Sequence, residues 1–187
     1  MKTLLELYNK HYDPKTGWPD KNSVHSYIEV YEEILKPYRD KNINILEIGL
    51  MNGESLRMWD EYFEGKVHGI DCSITPIDGK ANLTNAIEEG FNISIGDASN
   101  CDDIARFYKY YQFGVVIEDA NHDLTQQLQI FNVLKSYLEE DFIYIIEDVQ
   151  SIENAKIICD SLDGFNTTII DRRFVKNRYD DILIVIK

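Results

Sequence analysis

Two acidic pairs carry the most legible chemistry in this sequence. Glu118-Asp119 is followed by Ala120, Asn121 and His122, and Glu147-Asp148 stands further along. Each pair closes an apolar run, Phe113-Gly114-Val115-Val116-Ile117 and Phe142-Ile143-Tyr144-Ile145-Ile146, of the kind that forms a buried strand. On neighbouring strand ends the pairs would bring up to four carboxylates around one cleft, where they repel and raise one another's pKa. A hard divalent cation such as Mg²⁺ or Ca²⁺ relieves that repulsion and prefers oxygen ligands. It can also hold a substrate diol and make its hydroxyl more acidic. His122 is placed to take the proton, and the nearby carboxylates are expected to raise its pKa. An isolated acidic pair is ordinarily a helix cap or solvated, and an isolated histidine is ordinarily structural. Their coincidence on two strand ends favours a site.

Three earlier strand ends suggest a bound cofactor. The first is Glu47-Ile48-Gly49-Leu50-Met51-Asn52-Gly53-Glu54-Ser55, in which glycines let the backbone turn and approach a ligand. Its candidate contacts are Glu47, Gly49, Asn52, Gly53 and Ser55. Met51 stands where G-x-G-x-x-G has its middle glycine, so the turn is not a dinucleotide fingerprint. The second is Gly69-Ile70-Asp71-Cys72. An acidic residue about 20 residues beyond the first glycine suits a ribose diol, and Cys72 would line the wall. The third, Ile95-Gly96-Asp97-Ala98, can reach an adenine amino group. Ribose and adenine without a pyrophosphate cradle favour S-adenosylmethionine over NAD.

The elements that must position these residues follow from periodicity. Leu4, Leu5 and Tyr8 fit a short amphipathic helix. Ser23 can cap a second helix, striped by Tyr27, Val30, Tyr31, Ile34 and Leu35, that ends near Pro37. Strands are then expected at 43–49, 66–71, 91–95, 113–117 and 142–146, with helices at 54–63, 82–89, 102–111, a long one through Leu138, and 152–162. Strands at 167–170 and 182–186 finish the chain. Short strands alternating with helices imply a parallel sheet covered on both faces. The last connection is too short for a parallel crossover, so the final pair is expected to be antiparallel. The fold class is therefore α/β: a Rossmann-like, seven-stranded, mostly parallel sheet with helices on both faces and an antiparallel final strand. Residues 1–187 read as a single domain, with 1–40 as an N-terminal helical cap.

Composition narrows the partners. The 187 residues carry 19 basic and 33 acidic side chains, a formal charge of −14, which opposes a nucleic-acid partner. One basic cluster, Arg172-Arg173-Phe174-Val175-Lys176-Asn177-Arg178, reads as a solvated loop. No apolar run reaches the roughly 18 to 20 residues of a membrane helix, and the first residues turn polar too soon for a signal peptide. Cys72, Cys101 and Cys159 are odd in number and far apart, which suits a reducing cytoplasm. His25 reads as an exposed or packing residue. Tyr27, Tyr31 and Tyr38 read as exposed aromatics, compatible with a homo-oligomer or with a lid over the same chain.

Taken together, these pieces resemble the Rossmann-like methyltransferases that include macrolide-sugar O-methyltransferases and the methyltransferase-like proteins named after cephalosporin hydroxylase. The resemblance runs from about residue 20 onward. It rests on Asp20-Lys21, His25-Ser26-Tyr27, Tyr31-Glu32, Leu46-Glu47-Ile48-Gly49, Gly53-Glu54-Ser55-Leu56, Met58-Trp59 and Tyr62-Phe63. Gly69-Ile70-Asp71, Gly96-Asp97, Glu118 to His122 and Tyr144 to Asp148 complete it. It implies a cofactor site around Glu47, Gly49, Asp71 and Asp97. It further implies metal ligands Asp119, Glu147 and Asp148, and His122 as general base with Asp119 beside it. Glu118 and Asn121 depart from the family's more usual Asp and Ser. The implied activity is metal-assisted O-methylation of a small hydroxylated acceptor, sugar-like or a natural product. The rivals are a cofactor-binding module of the same fold without catalysis, and a nucleotide-dependent oxidoreductase, which the missing G-x-G-x-x-G opposes.

Overall fold

A computed structural model of the protein describes residues 2–75 and 82–187. Two helices, α1 (Leu4–His11) and α2 (Ile28–Leu35), precede the alternation. It runs β1 (Asn44–Ile48), α3 (Glu54–Tyr62), β2 (Lys66–Asp71), α4 (Thr84–Glu88), β3 (Asn92–Ile95), α5 (Cys101–Tyr108) and β4 (Phe113–Glu118). It continues through α6 (Leu124–Leu134), β5 (Leu138–Ile146), α7 (Ile152–Asp160), β6 (Thr167–Asp171), α8 (Arg173–Lys176) and β7 (Ile182–Ile186). The strands form one sheet in the order β3-β2-β1-β4-β5-β7-β6. β1 to β5 pair in parallel, and β7 runs antiparallel to both β5 and β6. This is the expected Rossmann-like architecture. The order reverses between β1 and β4, which opens a crevice at the C-terminal strand ends.

The period-2 alternation of the strands divides the core in two and also sorts the acidic residues. Ile45, Val115, Ile117, Ile143 and Ile145 pack with α1, α2 and α3 in one apolar cluster. Leu46, Val116, Tyr144 and Ile146 pack on the other face, with Ile104 of α5, Ile130 and Phe131 of α6 and Ile158 of α7. Glu47 and Glu147 follow the odd-numbered set toward the N-terminal helices, and Glu118 follows the even-numbered set to the opposite face.

Some boundaries differ from the sequence reading. Ser23 does not cap α2: its hydroxyl donates to the Gly17 carbonyl, and α2 starts after Tyr27 with no side-chain cap. α6 stops at Leu134, not Leu138; a single 3₁₀ turn follows, and β5 begins at Leu138, where it pairs with Phe113. The charged stretch Glu139-Glu140-Asp141 hides this strand start from an apolar-run reading. The basic cluster is not all loop, since Arg173–Lys176 forms one helical turn. Tyr27, Tyr31 and Tyr38 are buried within the chain rather than exposed. Among the described residues no helix is long and apolar enough to cross a membrane, and all three cysteines are free.

His68 of β2 sits in an aromatic box, with ring centroids 4.7 Å from Tyr111, 5.7 Å from Phe113 and 6.0 Å from Tyr108. Its Nε2 is buried without a hydrogen-bond partner among the described residues. Burial, helped by the Lys66 charge, lowers its pKa to about 4. An unfolded chain protonates this histidine below about 6.5, while the folded one resists. Stability is therefore lost as pH falls from about 6.5 toward 4. Replacing His68→Phe should remove about 2–3 kcal/mol of that pH dependence between pH 7 and 4.5, measurable as the difference between wild-type and variant denaturant unfolding at the two pH values.

Candidate functional site

The strand-end residues are locked in place by a backbone ladder that outruns the strands. Gly96 N–H donates to Asp71 O, Gly49 N–H to Ile70 O, Asp119 N–H to Ile48 O, and Glu147 N–H to Glu118 O, at 2.8–3.0 Å. Each residue of the crevice is thus registered against its neighbour. At Gly49 the chain takes φ +84°, and a Cβ there would collide with the carbonyl oxygen of Asp119. Only glycine lets the turn after β1 pass this close to the end of β4.

The crevice is a cavity of about 470 Å³, within the usual size of a small-molecule site. Gly49, Leu50, Met51, Asp71, Cys72, Gly96, Asp97 and Ala98 line one side, and Asp119, Ala120, Asn121, His122 and Asp148 the other. Trp18 and Asp20 of the N-terminal segment also reach it. Of the four non-glycine residues with positive φ among the described residues, Met51, His122 and Asp148 line this cavity. Strain of this kind persists where the surrounding structure holds a side chain in a required place.

Asp71 accepts from Leu50 N–H (2.8 Å) and Ser73 N–H (3.1 Å), one on each carboxylate oxygen, and so ties the β1 turn to β2. Asp97 accepts from the backbone and hydroxyl of Ser99. The other residues singled out in the first turn lie outside the cavity wall. Asn52 accepts from Asn82 N–H, and Gly53 is the left-handed residue before α3. Glu47 is fully buried, accepting from Ser55 Oγ at 2.9 Å and Trp59 Nε1 at 3.0 Å. Burial raises its pKa to about 7, against the pull of Lys21.

On the other side, Asp119, His122 and Asp148 each bring one donor atom, all within 4.8 Å of one another. His122 Nε2 is 3.9 Å from Asp148 Oδ2. Burial lowers the His122 pKa despite Asp119, opposite to the rise expected from its carboxylate neighbours. Desolvation of the imidazolium outweighs those charges here. Burial, Asp119 and Glu147 together push Asp148 up to about 10. Glu118 is on the far face of the sheet with Oε2 unpartnered, and burial raises it to about 8. Of the four carboxylates expected around the cleft, Asp119 and Asp148 line it.

Glu147 is held by residues that the sequence reading left without a role. Lys21, only 1 % exposed, donates to Glu147 Oε1 at 2.6 Å and to Asp119 Oδ2 at 2.9 Å, and lies 3.7 Å from Glu47 Oε1. Burial opposes its charge, but Asp119, Glu147 and Glu47 hold its pKa well above the usual lysine value. Tyr31 O–H donates to the same Glu147 oxygen, and Tyr27 O–H donates to Asp148 Oδ1 at 2.6 Å. His25 is buried, not exposed; it stacks on Tyr27 with Nδ1 3.1 Å from Asp148 Oδ1. Ser26 binds Asp181 through its N–H (3.2 Å) and hydroxyl (2.6 Å). The pieces Asp20-Lys21 and His25-Ser26-Tyr27 were visible as a resemblance. Their contacts span 98 to 155 residues and leave no local signature.

No protein-family model matches the chain. It is similar to the mycinamicin VI 2''-O-methyltransferase of Micromonospora griseorubida, 29% identical over 154 residues, covering 78% of this chain and 36% of that protein. It is likewise similar to the demethylmacrocin O-methyltransferase of Streptomyces fradiae, 28% identical over 155 residues, with the same coverages of 78% and 36%. The chain spans about a third of the length of these curated relatives. Among solved structures it resembles the MycE methyltransferase of the mycinamycin biosynthetic pathway, in complex with Mg, SAH and mycinamycin VI. That match has a TM-score of 0.64 at 26% identity and covers 79% of this chain and 37% of that one. The SAH-bound methyltransferase PaMTH1 of Podospora anserina shares the fold at 15% identity, with a TM-score of 0.64, across 100% of this chain and 88% of that one. The resemblance read from the sequence thus agrees with the relatives found: named O-methyltransferases on a Rossmann-like methyltransferase fold.

Replacing Gly49→Ala should cost at least about 1–3 kcal/mol, from a strained φ and the collision with β4. Thermal unfolding should register the loss, and a variant as stable as wild type would contradict the close approach of the β1 turn to Asp119.

Proposed function

We propose that this chain acts as one methyltransferase domain that binds S-adenosylmethionine and transfers its methyl group to a hydroxyl of a small polar acceptor. The observation that carries the reading is the single cavity whose two sides differ. One wall holds Asp71, Asp97 and the Gly49 turn, and the other holds Asp119, His122 and Asp148. The similarity to proteins named as 2''-O- and 2'-O-methyltransferases of mycinamicin VI and of a rhamnosyl tetracenomycin supports methyl transfer to a hydroxyl.

On the first wall, Asp71 keeps lone pairs free on both oxygens beside its two backbone bonds, enough to accept from a ribose diol. Gly49 offers bare backbone to the methionine portion, Cys72 and Ala98 line the wall, and Asp97 lies toward the adenine. Glu47, Asn52, Gly53 and Ser55 would support this side from behind by fixing the turn. The sulfonium supplies an activated methyl carbon, so the protein's task is to align a nucleophile and remove its proton.

On the second wall, the donors fit a hard divalent cation, with Mg²⁺ our assignment. Asp119 and Asp148 face the cleft within 4.8 Å of each other's ligand atoms. Glu147, assigned with them from the sequence, lies behind the cavity wall and outside the converging group, with Oε2 accepting no hydrogen bond from any described residue; it would join the set only through that oxygen. Such an ion would supply Lewis acidity toward the acceptor hydroxyl. His122, kept neutral by burial, has Nε2 directed toward Asp148 and can accept the hydroxyl proton at the cleft. Asp119 beside it stabilises the imidazolium that forms.

Two measurements test the assignment of the walls. Calorimetry with S-adenosylmethionine should find binding to wild type and a loss of about 1–3 kcal/mol for Asp71→Asn, the range for a hydrogen bond to a charged group. Tight NAD binding without S-adenosylmethionine binding would replace this reading with the oxidoreductase one. With a hydroxylated sugar acceptor, His122→Ala should lower single-turnover methyl transfer by roughly a hundredfold or more while cofactor affinity changes little. Turnover that survives alongside collapsed cofactor affinity would move His122 to the first wall.

A further inference from the structure

The hydrogen bonds on and behind the second wall follow one pattern. Asp119 has Oδ2 engaged by Lys21, Glu147 has Oε1 engaged by Lys21 and Tyr31, and Asp148 has Oδ1 engaged by Tyr27. No hydrogen bond from the described residues reaches the other oxygen of any of the three. Every engaging donor comes from the segment between Lys21 and Tyr31, and none is on the sheet. The donors are buried and well anchored. Lys21, Tyr27 and Tyr31 are each at most 1 % exposed. Tyr27 stacks on His25 and meets Tyr31 edge-on, and Tyr31 meets Trp59 edge-on.

We infer that Lys21, Tyr27 and Tyr31 are positioning residues that occupy one oxygen of each carboxylate and so present the set to a cation one oxygen at a time, which selects Mg²⁺ over Ca²⁺. This rests on the metal assignment above. A carboxylate with one oxygen held by a donor ligates through the other. Mg²⁺ demands near-octahedral, one-oxygen ligation at short distance, whereas Ca²⁺ gains from two-oxygen ligation and higher coordination. Donors behind a ligand also fix its orientation, and their loss typically weakens metal affinity by about 10- to 100-fold. The three positioning groups divide the task. Lys21 couples Asp119 to Glu147 through one ammonium, Tyr31 braces Glu147 from the helix, and Tyr27 alone of the three reaches Asp148.

The test is calorimetric titration of Mg²⁺ and of Ca²⁺ into the full chain saturated with SAH, for wild type, Tyr27→Phe and Tyr31→Phe. The phenylalanines keep the aromatic packing and remove only the donor, and retained SAH affinity reports an intact fold. Lys21→Met serves as a third variant where it folds. Wild type should prefer Mg²⁺. Each tyrosine variant should lose about tenfold or more in Mg²⁺ affinity and less in Ca²⁺ affinity, so that the preference narrows. Variants whose Mg²⁺ affinity and Mg²⁺-to-Ca²⁺ ratio match wild type would overturn the positioning role and leave the metal assignment standing. A wild-type protein that binds neither ion would overturn the metal assignment and this inference with it.

Discussion

The site is organised around one buried ammonium. Lys21 lies almost fully out of water among Glu47, Asp119 and Glu147. Taking these charges out of water carries a large desolvation cost, repaid only while the geometry stays close and every partner is present. Removing one member of such a group typically costs about 3–5 kcal/mol, because a charge is left buried and unmatched. The strands deliver the carboxylates without choice: alternation sends Glu47 and Glu147 to the face of the N-terminal helices. The segment before α2 is therefore bound to the sheet by necessity, and it brings Trp18, Asp20, His25 and Tyr27 with it.

The wall built from Gly49, Asp71 and Asp97 depends on backbone rather than charge. Hydrogen bonds continue past the strand ends from Asp71 to Gly96, Ile70 to Gly49, Ile48 to Asp119 and Glu118 to Glu147. The two walls therefore share one rigid ladder, and at Gly49 they approach so closely that a Cβ would strike the Asp119 carbonyl. Left-handed backbone at Met51, His122 and Asp148 shows where that ladder forces side chains toward the cavity against local preference.

Most of the fold could be read from the sequence, because apolar runs and turn residues report on short-range geometry. β2 and β7 match their expected spans residue for residue, and the antiparallel final pair followed from a connection too short for a parallel crossover. Asp71, Cys72, Asp97, Ala98, Asp119, His122 and Asp148 were all legible as strand-end residues and all line the cavity. What escaped was set by long-range contact or by side-chain direction. Glu118 was counted toward the cleft although a one-residue step along a strand reverses the face. His25, Tyr27 and Tyr31 carried helical spacing and so read as exposed or packing residues, while their polar ends meet carboxylates more than 110 residues away. The direction of the His122 shift was missed because proximity to carboxylates is visible in sequence and desolvation is not.

The clasp between Ser26 and Asp181 joins points 155 residues apart, and this bears on the order of folding. Asp181 immediately precedes the last strand, which inserts between β5 and β6. During synthesis the N-terminal segment is made first, and its partners Glu47, Asp119, Glu147 and Asp148 all precede β7, so it is the clasp to Asp181 that must wait. Contacts this distant in sequence carry the largest loop-closure cost and tend to form late. The sheet's parallel half can assemble as it emerges and offer the ammonium and the tyrosines their carboxylates, while the Ser26 clasp forms only once Asp181 arrives. A nascent chain would hold the site's groups before the clasp that fastens them, and the final strand would complete the fastening rather than the site.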